Sequence, residues 1–261
     1  MEEEKYDLGD SDGMVFEKGR FGKWFENFWY HYKWHTIITL FIVIVVTICT
    51  AQICSREKYD VYILYAGSAD VRGTKTEGDI SAYQTLYKSV SEASEDFDGN
   101  GEVTPALETL YMLSDEERLE LEAKFKEMKD NGEGSYELNY VQLSENNTAF
   151  RDRITYSDYY VFLISESLYK AYQTTDQGSP MFSSLRGLVE EGVTVEFLDD
   201  SAVYLHSTEF GKLAGLSDLP EDTLITLRSK SALSSHYNKK STNEHYENAE
   251  KVVRNMLNYG K

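Results

Sequence analysis

Apolar residues fall along this chain in three rhythms. From Thr36 to Cys54 (TIITLFIVIVVTICTAQIC) they run with no charged residue and one amide, Gln52. As a helix this stretch extends roughly 28 Å, close to the hydrocarbon thickness of a bilayer. A core helix would show a polar face, and this run has none. A signal peptide has a short basic leader and small residues before its cut, whereas residues 1–35 precede this run. Ile48 before Cys49 and Ile53 before Cys54 do not suit a lipoprotein cleavage site. The run is expected to be an uncleaved transmembrane helix touching membrane lipid from Thr36 to Cys54.

The second rhythm is short and apolar on both faces. Asp60–Ala66 (DVYILYA) and Tyr159–Ile164 (YYVFLI) have the length and β-rich composition of buried strands. Thr223–Leu227 reads as another strand, and Val193–Leu198 with Ala202–Leu205 as a hairpin across Asp199-Asp200-Ser201. The third rhythm has helical spacing. Asp79 is placed as an N-cap before Ile80, Tyr83, Tyr87 and Val90. Ser114 with Glu117 forms a capping box before Leu121, Phe125 and Met128, and Asn131-Gly132 ends that helix. If that helix starts at Ser114, the preceding TPALETLYML is better read as a strand than as a helix opened by Thr-Pro. Ser241 and Glu244 are expected to cap a last helix with Tyr246, Ala249, Val253, Met256 and Leu257 on its face. Strands alternating with helices predict an α/β domain. Its sheet is expected to be central and largely parallel, flanked by helices including the one from Ser114, and preceded by one transmembrane helix. The expected division is a tail at 1–35, the membrane helix at 36–54 and an extracytoplasmic domain at 55–261.

Charge adds location. Lys18, Arg20, Lys23 and Lys33 precede the apolar run, and Arg56, Lys58 and Arg72 follow it. This slight bias, with the size of the C-terminal part, predicts a cytoplasmic N-terminus. Trp24, Trp29 and Trp34, with Phe25, Phe28, Tyr30 and Tyr32, form an aromatic belt before the run. Residues 1–17 are acidic and Gly/Ser-containing and are expected to be disordered; residues 55–59 make a short link to the first strand. The chain carries a formal net charge of −19, of which −16 lies beyond residue 35. That field repels nucleic acid and anionic headgroups, so no nucleic-acid partner is expected. Both cysteines, Cys49 and Cys54, lie in the apolar run, so the domain beyond it needs a packed core rather than disulfides.

The sharpest chemical pattern is Asp96-Phe-Asp98-Gly-Asn100-Gly-Glu102-Val103. Calcium takes several oxygens at about 2.4 Å, and Asp96, Asp98 and Asn100 fall at positions 1, 3 and 5 of a calcium loop, with Glu102 offering a carbonyl. Position 12 is Leu107 and Glu108 comes one residue late, so a bidentate carboxylate must come from elsewhere. The competing reading is an acidic Gly-rich turn. Ser167 and Lys170 form an S-x-x-K without its companion motifs, a chance match in a Ser- and Lys-rich chain. His31, His35, His206, His236 and His245 have no zinc spacing, and the chain lacks G-x-S-x-G, Walker and G-x-G-x-x-G patterns. No catalytic residue is nominated.

The strand DVYILYAGS, followed by a helix, and the segment SDYYVFLISESLYKAY with MFSSLRGLVEEG after it carry a resemblance. Together, over roughly residues 60–190, they are similar to one lobe of type II extracytoplasmic solute-binding proteins. The segment WFENFWYHYKWH plus anchor also resembles a group of uncharacterised single-pass bacterial membrane proteins. The resemblance implies a bacterial cell surface and ligand contact at strand carboxyl ends, which nominates Gly67, Ser68, Ser165 and Glu166. The chain departs from the transport family in its permanent anchor and in lacking length for a second lobe. A surface domain binding an unknown small molecule or protein is expected, not an enzyme. A signalling module reporting across the membrane and an anchored cell-wall hydrolase or transpeptidase are the alternatives.

Overall fold

The computed structural model describes residues 20–54, 59–72, 81–134, 136–175, 178–230 and 239–261. The expected disordered tail, most of the link at 55–59 and the Asp79 cap lie outside these residues. The chain divides into two units, Met1–Glu57 and Lys58–Lys261.

The described part of the first unit is one helix, α1 (Arg20–Cys54). Its stretch Phe28–Ala51 is long and apolar enough to cross a membrane, with mean hydropathy 2.2 and none of it buried. Thr47 and Thr50 donate their hydroxyls to the carbonyls of Val43 and Val46, at 2.7 and 2.8 Å. Their hydroxyls are thus satisfied within the helix. The aromatic belt continues the same helix: Trp24 stacks on Phe28 at 5.6 Å and Phe28 on Tyr32 at 5.4 Å.

The second unit is an α/β domain around a six-stranded mixed sheet of order β2-β1-β3-β6-β5-β4. The strands are β1 (Tyr62–Gly67), β2 (Ala106–Tyr111), β3 (Val161–Ser165), β4 (Phe197–Asp199), β5 (Ala202–Tyr204) and β6 (Thr223–Leu227). The helices are α2 (Ala82–Ala93), α3 (Asp115–Asp130), α4 (Tyr140–Tyr156), α5 (Glu166–Ala171) and α6 (Lys239–Leu257). β1 is parallel to both β2 and β3. The expected largely parallel sheet stops there, because β6 runs antiparallel to β3 and to β5, and β4 antiparallel to β5. A parallel neighbour needs a crossover of a dozen residues or more, usually helical. α2 and the α3–α4 pair supply such crossovers. The segment between β5 and β6 holds tight turns and no α-helix, and β6 runs antiparallel to both neighbours.

The all-apolar strands are explained by burial on both faces. Alternation sends Ile63, Tyr65, Val161 and Leu163 to one face, against Leu86 and Val90 of α2 and Val252, Val253 and Met256 of α6. Leu64, Ala66, Phe162 and Ile164 face the other way, onto Phe150 and Ile154 of α4. The expected sheet-packing helix from Ser114 is therefore corrected: α3 buries none of its residues. Its caps are as read, with Glu117 N–H donating to Ser114 Oγ at 3.2 Å and Ser114 N–H to the Glu117 carboxylate at 2.7 Å. The packing helix is α4, whose apolar residues are too sparse to show a period. α2 is capped by Ser81 and Gln84. α6 is already helical at Lys239, so Ser241 and Glu244 lie inside it and are not its cap.

Candidate functional sites

Because β1 and β3 are parallel neighbours, Gly67-Ser68 and Ser165-Glu166 meet at one end of the sheet. β1 continues to β2 through α2 on one face, and β2 returns to β3 through α4 on the other. The carboxyl ends of β1 and β3 are thus the point where connections part, where open α/β sheets place ligands. Here that point is occupied by the protein itself. The Tyr65 hydroxyl accepts from Ala69 N–H at 3.1 Å, and a Cβ on Gly67 would lie 2.8 Å from that oxygen. Gly67 C=O accepts from Met112 N–H at 2.9 Å. Ser165 is buried and shares a hydrogen bond with Ser167 at 3.0 Å. Glu166 N–H donates to Asp222 C=O at 3.0 Å, and its carboxylate accepts from the Tyr204 hydroxyl at 2.7 Å and from Lys170.

This network perturbs its own acids. Lys170 first, then Tyr204, hold the Glu166 carboxyl below its ordinary range. In return Glu166 pushes the Tyr204 phenol up to about 12. Burial, then Glu117, raise Asp222. Lys170 pairs with Glu166 rather than Ser167, so the S-x-x-K spacing assembles no serine–lysine pair. None of the four nominated residues lines either of two clefts found beside β2. One cleft, of about 380 Å³, opens between the β2–α3 turn and α4. The smaller, of about 110 Å³, involves Asp70, Arg72, Glu108 and Asn146.

Of the acidic loop's nominated residues, Asp96 and Asp98 converge, and Asp60 joins them. Carboxylate oxygens of Asp60, Asp96 and Asp98 lie within 4.8 Å of one another and can hold a metal ion. Asp60, at the start of the strand segment, is the carboxylate expected from elsewhere in the fold, and the Asn100 side-chain oxygen accepts from Glu102 N–H at 2.7 Å. Glu108 is committed elsewhere, to Arg153 at 2.7 Å. These carboxylates converge without a cation, because backbone amides supply the positive end. Gly99 and Gly101 take φ of 73° and 89°, a conformation open chiefly to glycine. Asp96 then accepts from the N–H groups of Gly99 (2.7 Å), Asn100 (3.1 Å) and Gly101 (2.8 Å). The Gly101 amide leads the donors that hold the Asp96 carboxyl below its ordinary range.

Asp60 is buried and nearly saturated. Its Oδ1 accepts from Phe97 and Asp98 N–H at 2.7 and 3.3 Å, and its Oδ2 from Thr104 N–H and hydroxyl at 2.8 and 3.3 Å. A carboxylate offers about four lone-pair directions. Free capacity therefore sits mainly on Asp98, which among the described residues accepts one backbone hydrogen bond, from Asn100 N–H at 3.0 Å. Asp60 had no local signal in sequence, since it precedes the loop by a whole helix and is brought to it by the fold. No family model, curated protein or solved structure matches this chain.

Proposed function

We propose that the chain is a single-pass, membrane-anchored surface protein whose α/β domain binds a ligand on the extracytoplasmic side, in the manner of one lobe of a type II solute-binding protein. The observation that carries this reading is the unburied apolar stretch Phe28–Ala51, which no core helix would leave uncovered. The ends of β1 and β3 are filled by the protein's own groups, so a ligand would dock beside them at the same end of the sheet, in the cleft beyond β2. Protease added to intact cells, any outer envelope removed, is expected to digest the domain beyond residue 60 and spare an N-terminal tag. A protected domain with a digested tag overturns the orientation, and protection of both overturns surface exposure.

The second reading, a protein-interaction module, is favoured by the exposure of Leu119, Tyr136, Tyr140 and Val141 around α3 and the start of α4. An anchored hydrolase or transpeptidase has less support, because Lys170 is engaged by Glu166.

Calcium is proposed as a brace at Asp60, Asp96 and Asp98. The few free lone pairs set a weak site, on the order of 10⁻⁴ to 10⁻³ M. Calcium at ten times its Kd then stabilises by about 1.4 kcal/mol. For a domain of this size the melting point rises by roughly 3–6 °C. Melting curves of the full chain in nanodiscs, with chelator, calcium or magnesium, are expected to show this rise with calcium, a smaller one with magnesium and none in Asp98→Ala. An unchanged melting point in calcium reduces the loop to a turn.

A further inference from the structure

The larger cleft has a wall that the rest of the fold does not explain. α4 reaches the sheet through Phe150 and Ile154, the two residues it buries. A different stripe of the same helix, Ser144, Asn147, Thr148 and Arg151, lines the cleft. These positions follow one another at i, i+3, i+4 and i+7, so they form one helix face. It presents hydroxyls, an amide and a guanidinium in one row. Thr148 turns its hydroxyl back to Ser144 C=O at 3.1 Å. Arg151 makes no ion pair, and Asn147 no side-chain hydrogen bond, with any described residue.

The opposite wall is the first turn of α3. There Arg118 reaches the cleft while loosely held by Asp115 at 3.2 Å and Glu122 at 3.5 Å. Met112, Leu113 and Leu143 supply the apolar share of the lining. The cleft volume, about 380 Å³, falls in the range of small-molecule sites. It sits just beyond the carboxyl end of β2, at the same sheet end as the ends of β1 and β3.

We propose that this cleft binds a small organic monocarboxylate, with Arg151 as its anchor and Arg118 as second donor. This rests on the reading of the domain as a binding module and names its ligand class. A guanidinium matches a carboxylate in a planar, two-bonded fork, and Asn147 and Ser144 can donate to the same oxygens. The choice of a monoanion over phosphate follows from charge. Asp115 and Glu122 flank Arg118, and the chain carries −19 overall, so each added negative charge on a ligand meets repulsion. The apolar residues call for a ligand body that is not itself charged.

The test uses sodium benzoate as probe, with the full chain in nanodiscs at constant ionic strength, read by ligand-observed NMR. Saturable benzoate binding is expected, at least tenfold weaker in Arg151→Gln and in Asn147→Leu, and at least tenfold tighter than inorganic phosphate binding measured by competition. Arg151 and Asn147 are exposed, so both variants are expected to keep the parent melting point. Absence of saturable binding overturns the proposal, as does phosphate binding as tight as benzoate. Benzoate binding unchanged in both variants overturns the cleft while leaving the binding reading intact. The protease result on intact cells is independent of all three.

Discussion

Replacing Arg228 with methionine is expected to destabilise the α/β domain by about 3 kcal/mol or more. Arg228 directly follows β6 and is almost completely buried. Its guanidinium is inserted at the carboxyl end of α4, donating to the carbonyls of Arg153 and Ile154 at 2.9 Å each and to Ser157. These are carbonyls a helix end leaves without intrahelical partners, and the helix dipole favours a cation there. The guanidinium also lies 4.6 Å over the Tyr160 ring. Burial pulls its proton affinity down, so part of the interaction energy offsets desolvation. Methionine relieves that desolvation but leaves the Ile154 and Ser157 carbonyls unmet and the Arg153 carbonyl with the Ser157 hydroxyl alone. For a domain of this size the melting point is expected to fall by roughly 6–12 °C. Arg228→Lys is expected to fall nearly as far, because one ammonium cannot span three carbonyls in a fixed fork. Denaturant melts of both variants check this; a change under 1 kcal/mol in the methionine variant, an order-of-magnitude bound from surface substitutions, would remove Arg228 from this structural role.

The same corner has an acid-side consequence. His245 lies 3.4 Å from Asp158, and this contact, ahead of the Arg228 charge, holds the Asp158 carboxyl below its ordinary range. A carboxyl with a lowered folded pKa contributes stability above its unfolded value, and loses it as pH falls through the folded value. The loss is therefore expected below about pH 4, and His245→Ala is expected to flatten that part of the stability–pH curve.

Gly211→Ala is the second large effect expected, also about 3 kcal/mol or more. Residues 205–207 and 210–212 form two tight turns between β5 and β6. They are clamped by Thr208, whose hydroxyl donates to Leu205 C=O at 2.7 Å and accepts from Gly211 N–H at 3.0 Å. A Cβ on Gly211 would lie 2.1 Å from the Leu205 carbonyl oxygen and 2.7 Å from its carbon. Both are backbone atoms, so no side-chain rotation relieves the clash. The turns carry Leu205 and Phe210 into the core, and moving them opens a void beneath β6. Calorimetry of the alanine variant checks this. A variant within 1 kcal/mol of the parent, roughly the surface-substitution range, would mean that the turns separate without cost.

Those turns illustrate why part of the fold was legible in sequence and part was not. The apolar run at 36–54 could be read because length and apolarity are properties of consecutive residues. β1 and β3 could be read because strands buried on both faces are apolar almost throughout, β6 because its Thr, Leu and Ile residues favour strands, and the Ser114–Glu117 box because a cap spans four residues. The direction of β6 could not, since it depends on a connection through irregular turns that have no periodicity. α4 was missed because two large residues, Phe150 and Ile154, suffice to seat it and leave its other faces polar.

The candidate sites divide the same way. Asp96, Asp98 and Asn100 declared themselves by alternation within one loop. Asp60 did not, because only the parallel pairing of β1 with β2 brings it beside that loop, where Asp60 N–H donates to Thr104 C=O at 3.1 Å. The strand ends at Gly67 and Ser165 were located by their turn residues. That the Gly67 carbonyl is met by Met112, the Ser165 hydroxyl by Ser167 and the Glu166 N–H by Asp222 was decided by the fold. By itself the sequence determined the elements whose cause is local: the apolar helix, the buried strands, the Ser114 cap and the acidic loop. Tertiary structure alone decided what depends on distant residues meeting: strand direction, the third carboxylate, the buried Arg228 and the cleft between α3 and α4. Local propensity acts over a few residues, whereas these features join segments separated by tens of residues, and only packing selects among their possible partners.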